Sequence, residues 1–258
     1  MIGRLKEAYE YREFLRELVY QQLHQRYQGS VLGFLWTLVL PLLTFGCFSV
    51  IFSFLNHWEL KDYGIYFFSG YIFWILFSNS CLGAAESVVG NPAYVTRVYV
   101  PKILLPVASV AVSVVDLLAS FVVLGALMLF WGAPFSWAML FLPVAVLIAI
   151  PFVLGMALLC ALANVFLRDF RYLLSSLLFL WFFFCPILWK AEIAPARFRL
   201  LLLLNPVTPF LSTFQMPIWK SELPSGLAVA ASAGLSLGVL VLGILCFLRS
   251  ERRFYYYL

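Results

Sequence analysis

The chain has 258 residues, of which 64% are hydrophobic and only 11% charged, with a formal net charge of +5. This composition excludes a water-soluble globular domain and indicates an integral membrane protein. The positive balance on so few charges favours basic loops at a membrane rather than nucleic-acid binding. The five cysteines lie in apolar stretches and lack the spacing of a metal site or a disulfide framework.

Residues 1–28 form an amphipathic segment at the cytoplasmic side of the first span. On a helical period its apolar residues share one face, namely Tyr11, Phe14, Leu15 and Leu18. The charged residues Arg12, Glu13, Arg16 and Glu17 lie on the opposite face. This pattern predicts an interface helix that lies on the membrane surface or against a partner. Because only Gly29-Ser30 separates it from the first span, such a helix would transmit force into the membrane.

Residues 29–258 are predicted to form one all-α transmembrane domain with six spans. About 20 apolar residues cross the hydrocarbon core, and this length places the spans at about 31–55, 63–89, 103–131, 135–167, 173–189 and 225–248. The stretch 190–224 contains an apolar run too short to cross and broken by prolines. It predicts short re-entrant or gate helices, with an ordinary external loop as the alternative.

The basic residues predict the orientation of the chain. With both termini in the cytoplasm, twelve of the 17 Lys and Arg residues fall on the inner side. The positive-inside rule therefore supports an even number of spans with cytoplasmic ends.

The sequence carries no P-loop, zinc-protease or paired-cysteine motif. It has no GxxxxGK[ST], HExxH or CxxC pattern, and we expect no catalytic residue and no metal site. Asp116 and Glu86 are carboxylates within predicted spans, and no Lys or Arg within a span offers itself as a partner. Asp116 is predicted either to carry protons or cations or to be a neutral, hydrogen-bonded packing residue. Glu86 lies near a cytoplasmic end, from which its side chain reaches the interface.

Aromatic residues, 18% of the chain, are concentrated in the first, second and fifth spans. Phe34, Phe45, Phe48 and Phe52 lie on one sector of the first span, and Phe183 lies in the fifth. One hypothesis is a conduit lined by rings, whose faces stack on sugars without demanding one orientation. The alternative is that these rings anchor the helices at the interface or face lipid.

Four motifs, in order along the chain, carry a resemblance to a known family. They are the runs at 26–38 (RYQGSVLGFLWTL), 91–106 (beginning NP and ending VPKILLP), 164–170 (NVFLRDF) and 204–210 (LNPVTPF). Together they resemble ABC-2 type transporter permeases, and among these the subfamily that exports O-antigen, capsular polysaccharide and teichoic acid. Leu40 departs from the pattern, since many relatives have asparagine before the proline, which puts only local packing in doubt.

The resemblance implies a homodimer in the cytoplasmic (inner) membrane of a bacterium, bound to two copies of a separate ATPase subunit. ATP and Mg²⁺ would bind to that subunit, so this chain would hold no cofactor and would not be an enzyme. A coupling helix in the first cytoplasmic loop and the second cytoplasmic turn would contact the ATPase. The residues assigned to this coupling are Tyr94, Arg97, Tyr99, Lys102, Arg168 and Asp169.

The cargo implied by the resemblance is a lipid-linked polysaccharide that passes between protomers along spans one and five. Phe34, Phe45, Phe48, Phe52 and Phe183 are assigned to this conduit. Arg26 would attract the diphosphate of the carrier lipid, because phosphate favours the forked donors of arginine, with interfacial anchoring as its alternative role. An ABC-2 exporter of a drug or lipid is the alternative function. A membrane transferase or secondary transporter would need a polar site, which only Asp116 suggests.

Overall fold

The structure is a computed structural model that describes residues 11–56, 59–96, 100–193 and 196–256. Ten α-helices and no strands occur in these four ranges. They are α1 (Arg12–Tyr27), α2 (Trp36–Asn56), α3 (Leu60–Val89), α4 (Pro92–Thr96), α5 (Leu104–Phe130), α6 (Leu142–Phe166), α7 (Phe170–Phe184), α8 (Ala196–Leu204), α9 (Thr208–Gln215) and α10 (Gly226–Ser250). Four 3₁₀ segments, Gly33–Leu35, Trp137–Phe141, Ala191–Ile193 and Glu251–Tyr256, and a π-turn at Met216–Lys220 complete the described elements.

Five of the described helical segments are long and apolar enough to cross a bilayer. They are Gly33–Phe52, Leu60–Val89, Leu104–Phe130, Trp137–Phe166 and Gly226–Ser250. These segments agree with five of the six expected spans, so the chain is an all-α membrane protein. The remaining apolar helix, α7, has 15 residues.

Helix α7 ends at Phe184 rather than near Trp189, where the hydropathy pattern had placed the end of the fifth span. Pro186 is the physical reason, because a proline disfavours the helical conformation of the residue before it. Cys185 accordingly adopts an extended backbone with φ −90° and ψ 144°. At about 1.5 Å per residue, α7 is too short to span the whole hydrocarbon core alone.

Helix α3 forms the centre of the bundle and contacts α2, α5, α6, α7 and α9. Five of its aromatic side chains are at most 1% exposed: Tyr63, Phe67, Phe68, Phe73 and Phe77. Small buried residues on α5, among them Ala108, Ser113 and Ser120, let the neighbouring backbone approach. Membrane helices pack in this way because lipid already solvates apolar side chains, so close fit and dispersion must hold the helices together.

The backbones of helices α6 and α10 approach each other closely at Gly155 and Gly243. A Cβ atom on Gly155 would lie 2.5 Å from the backbone of Val239, and one on Gly243 would lie 2.5 Å from the carbonyl oxygen of Gly155. Neither backbone can move as a flexible side chain would. Both positions therefore require glycine for packing.

Helix α1 packs against α5 through the face that the sequence predicts to be apolar. Leu18 is 3% exposed, whereas the charged residues Arg12, Glu13, Arg16 and Glu17 are exposed. Gln22 lies within 3.4 Å of the Ser109 hydroxyl, and Arg26 pairs with Asp116. The contacts follow the same order along both helices, so α1 and α5 run in the same direction where they meet. Residues 1–10 of the predicted interface helix lie outside the described residues.

The described residues between α7 and α10 form short helices rather than an irregular loop, and their re-entrant or gate role stays a prediction. Phe210 and Phe214 on α9 are fully buried. The Phe210 ring stacks on Phe152 at 4.5 Å and on Phe73 at 5.3 Å. An eight-residue helix rises only about 12 Å. Helix α9 is therefore inserted into the bundle without crossing the membrane.

Gly155→Ala is expected to destabilise the protein by about 1–3 kcal/mol, because the added methyl group must displace the backbone of α10. The matched control is Gly234→Ala on α10, where a Cβ would meet nothing within 4 Å. That change should be neutral or slightly stabilising, since alanine favours helix over glycine. Thermal unfolding of the purified protein in detergent, followed by circular dichroism, measures both. Equal unfolding temperatures for the two variants would contradict this packing.

Candidate functional site

A cavity of about 770 Å³ lies between α2, α3, α5 and α7, next to the end of α1. Its volume is in the range of small-molecule sites. One part of the wall is aromatic and includes Trp36, Phe48, Tyr71, Trp74, Phe179 and Phe182. The other part is polar and includes Arg26, Tyr27, Thr37, Thr44, Ser78, Asn79, Asp116 and Ser175.

An ion pair between α1 and α5 forms the polar centre of this wall. The Nη1 atom of Arg26 donates to Oδ1 of Asp116 at 2.9 Å and to Oδ2 at 2.8 Å. The Nδ2 atom of Asn79, on α3, donates to the same Oδ2 at 3.1 Å. Three helices that are far apart in the sequence therefore meet at one carboxylate.

The partner of Asp116 comes from outside the transmembrane spans, which the sequence did not predict. The side chain of Asp116 is 8% exposed and that of Arg26 is 41% exposed. A carboxylate so deeply buried needs a counter-charge or a proton. Arg26 supplies the charge. Asp116 thus accepts hydrogen bonds from a cation that neither prediction had included.

Arginine is protonated in proteins, and the pair stabilises the charged form of Arg26 further. Burial disfavours the charge of its guanidinium, but the hydrogen bond and negative charge of Asp116 outweigh burial and raise the pKa of Arg26 above its usual value. The Tyr27 hydroxyl adds a smaller effect in the same direction. Arg26 is therefore a permanent cation at the rim of an apolar cavity.

The structure brings one of the five predicted conduit phenylalanines to the cavity wall. Phe48 lines it and packs on Phe67 and Phe182, with ring centroids at 5.6 and 5.8 Å. Phe45 is buried between Phe68 and Trp131, and its ring leaves no room for a Cβ on Gly64.

The three other predicted conduit residues lie outside this wall. Phe52 stacks on Tyr63 at 6.2 Å, and Phe34 packs on Tyr27 at 5.9 Å. Phe34 lies in the 3₁₀ segment before α2 and Phe183 lies on α7, and both side chains are exposed. Their roles in a conduit remain predictions.

Cavity residues on α3 and α7 were missed by the sequence analysis. Tyr71, Trp74, Phe179 and Phe182 contribute most of the additional aromatic surface. The aromatic enrichment of these spans was visible in the sequence. Which rings share a wall was not, because that depends on how three helices are rotated about their axes.

The coupling residue Tyr94 contacts the interface helix directly. Its hydroxyl lies 3.3 Å from Oε1 of Gln21, and its ring packs edge-on against Phe14 at 5.5 Å. Helix α4 is therefore connected to α1, and α1 to Asp116. Arg97 and Tyr99, assigned to the same coupling role, lie outside the described residues. The backbone nitrogen of Lys102 donates to Glu251 at 3.3 Å.

Arg168 and Asp169 are exposed in the turn between α6 and α7. Beside them the side chain of Asn164 donates to the carbonyl of Ala85 at 2.7 Å and accepts from the backbone of Arg171 at 3.1 Å. The Arg171 guanidinium pairs with Glu86, so the second intramembrane carboxylate predicted from the sequence also has a cationic partner. These contacts join the ends of α3, α6 and α7, and they leave Arg168 and Asp169 at an accessible turn.

The described ranges contain no group of three or more His, Cys, Asp or Glu side chains arranged to hold a metal ion.

Comparison with known proteins identifies the architecture. A family model described as "ABC-2 type transporter" matches residues 13–219, which include nearly all of α1 and all four helices around the cavity. The chain belongs to the ABC-2 type transporter family.

Curated relatives of this ABC-2 chain carry a more specific name. The chain is 32% identical over 242 residues to the O-antigen export system permease protein RfbA of Myxococcus xanthus, an alignment that covers 93% of each protein. It is 24% identical over 196 residues to a protein of the same name from Klebsiella pneumoniae, with 76% of each covered. The ABC-2 chain therefore matches these relatives over most of their length.

Arg26→Gln is expected to lower the free energy of unfolding of this ABC-2 chain by about 1–3 kcal/mol, because it leaves the Asp116 carboxylate without its counter-charge. The double variant Arg26→Gln with Asp116→Asn should recover part of this loss, since an amide tolerates burial better than an orphaned charge. Chemical unfolding in detergent measures the cycle.

The control for this cycle is Arg171→Gln, which breaks an ion pair whose side chains are 48% and 52% exposed. Solvent screening limits that loss to about 0–1 kcal/mol. The pairing of Arg26 with Asp116 would be contradicted by an additive cycle. In that case the double variant loses as much free energy of unfolding as Arg26→Gln and Asp116→Asn lose separately, added together.

Proposed function

We propose that this chain is the membrane-spanning subunit of an ATP-driven exporter that moves a lipid-linked polysaccharide of the O-antigen type. The carrying observation is its 32% identity, over 93% of both proteins, to a permease named for O-antigen export. The cavity beside Arg26 supports this assignment because it combines one cation with an aromatic wall.

The source of energy is a separate ATPase subunit, two copies for two permease chains. The given sequence has no P-loop, which fits the proposal that the nucleotide site is on a partner. Helix α4, the Arg168–Asp169 turn and the segment around Lys102 form the proposed docking region. ATP binding would move α4, and the contact of Tyr94 with Gln21 would pass this motion to α1.

A second copy of the chain completes the path. Large apolar side chains remain exposed on α2 (Leu43, Val50, Phe54) and on α7 (Leu173, Leu180, Phe184), the helices on either side of the cavity. In a homodimer arranged about these helices, the two cavities would face a shared route. The proposed location is the cytoplasmic membrane of a bacterium, with both termini in the cytoplasm, as the distribution of Lys and Arg favours.

The aromatic wall suits a long, repetitive cargo. Ring faces pack on the apolar faces of sugars through dispersion, and each contact is weak enough to be released as the chain advances. Phe48, Phe182 and Tyr71 are the residues that we assign to this contact.

The proposal predicts that Phe48→Ala combined with Phe182→Ala lowers polysaccharide export about tenfold, since each ring contact is worth about 0.5–1.5 kcal/mol. The assay uses bacteria in which surface polysaccharide depends on this chain and its ATPase, with pulse-labelled polymer measured at the cell surface. Co-purification of the ATPase with each variant verifies that the complex still assembles.

The matched control is Phe130→Ala combined with Phe135→Ala, which removes two exposed rings outside the cavity wall and should leave export unchanged. Equal export by both double variants would contradict the aromatic contact. If the wild-type chain exports a drug or a phospholipid from the cells and no polymer, the alternative ABC-2 function is favoured.

A further inference from the structure

The Arg26–Asp116 pair uses only one nitrogen of the arginine, although the Tyr27 hydroxyl also interacts with the guanidinium. Both hydrogen bonds to Asp116 come from the single atom Nη1. Carboxylates and phosphates bind arginine best through two parallel bonds from two nitrogens. The pair therefore uses one end of the guanidinium and not its fork. Because 41% of the Arg26 side chain is exposed, a ligand in the cavity can reach it.

The charge of the cavity depends on whether this pair is intact. Among the described residues that line the wall, Arg26 is the one cation and Asp116 the one carboxylate. While they are paired, their charges cancel and an anion gains little by entering. When they separate, the cation faces the cavity and the carboxylate retains the hydrogen bond from Asn79 at 3.1 Å.

We infer that Asp116 occupies the anion position at Arg26 until a diphosphate takes it, so that binding of the substrate headgroup releases α1 from α5. The inference rests on the proposed function, which supplies a lipid-linked diphosphate as the ligand. A diphosphate carries more negative charge than a carboxylate and engages both nitrogens of the fork, and these two gains offset the loss of the Asp116 contact.

Release of α1 follows from the position of the pair. Arg26 lies in the last turn of α1, and Asp116 lies in the interior of α5. A second polar contact between α1 and α5 is the hydrogen bond from the Ser109 hydroxyl to Oε1 of Gln22. Its length of 3.4 Å is near the upper limit for a hydrogen bond. Exchange of the carboxylate for a phosphate thus removes the strongest polar contact between the two helices. Asp116 acts as a built-in competitor that holds the interface helix in place while no substrate is bound.

The test is a binding titration of purified permease, co-purified with its ATPase where that subunit is present, with farnesyl diphosphate as the probe. Asp116→Asn is expected to bind the probe about tenfold more tightly, because the competing charge is gone while the amide still accepts a hydrogen bond. Arg26→Gln should weaken binding at least tenfold, with or without Asp116→Asn. Glu86→Gln, which removes a carboxylate from an ion pair outside the cavity, is the control and should bind as the wild type does.

Inorganic pyrophosphate, titrated in parallel, separates a lipid headgroup from free phosphate. Tighter binding of farnesyl diphosphate than of pyrophosphate supports a lipid source, and equal affinities assign the site to free anions and overturn the lipid part of the inference. Unchanged or weaker binding of farnesyl diphosphate by Asp116→Asn overturns the competition itself.

Hydrogen exchange of the wild-type protein gives a measurement that needs no variant. Farnesyl diphosphate should accelerate amide exchange in Arg12–Tyr27, since α1 loses its hold on α5. Unchanged or slower amide exchange in Arg12–Tyr27 would overturn the release of α1. Export of polysaccharide by the wild type tests the proposed function separately. If polysaccharide is exported but Asp116→Asn does not bind farnesyl diphosphate more tightly, this inference alone is refuted. If no polysaccharide is exported, the proposed function is refuted.

Discussion

The structure depends on one requirement, which is that a carboxylate inside an apolar helix bundle needs polar partners. Asp116 lies on α5 with 8% of its side chain exposed, and Arg26 reaches it from a helix that precedes the first span. Moving α1 away from the bundle would leave that buried carboxylate without its counter-charge. The free-energy cost of doing so stabilises the contact of α1 with α5. Because α1 also contacts Tyr94 on α4, the pair connects the segment between α3 and α5 with the cavity wall. An ABC-2 transporter needs such a connection, since its proposed energy source lies on another subunit.

The remainder of the bundle provides a rigid frame for this contact. The aromatic residues of α3 are buried on several sides, and α9 inserts Phe210 and Phe214 against Phe73. On the other side, Gly155 and Gly243 bring α6 and α10 into backbone contact. Helices α2 and α7 are less enclosed and keep large apolar faces exposed. Movement at the cavity is therefore expected in α1, α2 and α7, while α3, α5, α6 and α10 keep their arrangement.

The class of fold could be predicted from the sequence because a membrane span needs a long apolar run, which is a local property. The early end of α7 was also encoded locally, by Pro186. The Arg26–Asp116 pair was not predictable in this way, because it joins residues 90 positions apart and depends on the register of α1 along α5. The helical period predicts that Phe45, Phe48 and Phe52 lie on one sector of α2. It does not predict which residues of other helices these rings contact. Phe45 meets Phe68 and Trp131, and of the three only Phe48 meets the cavity.

The central claim is that α1 rests on α5 without substrate or ATP and moves away from it during transport. Gln22→Cys and Ser109→Cys, introduced together into a variant that lacks the five native cysteines, place two thiols at the 3.4 Å contact. A short bifunctional thiol reagent should cross-link them efficiently in the nucleotide-free complex with the ATPase. The yield should fall severalfold when the complex is trapped with ATP and vanadate in the presence of substrate. Equal cross-linking in both states would contradict the account.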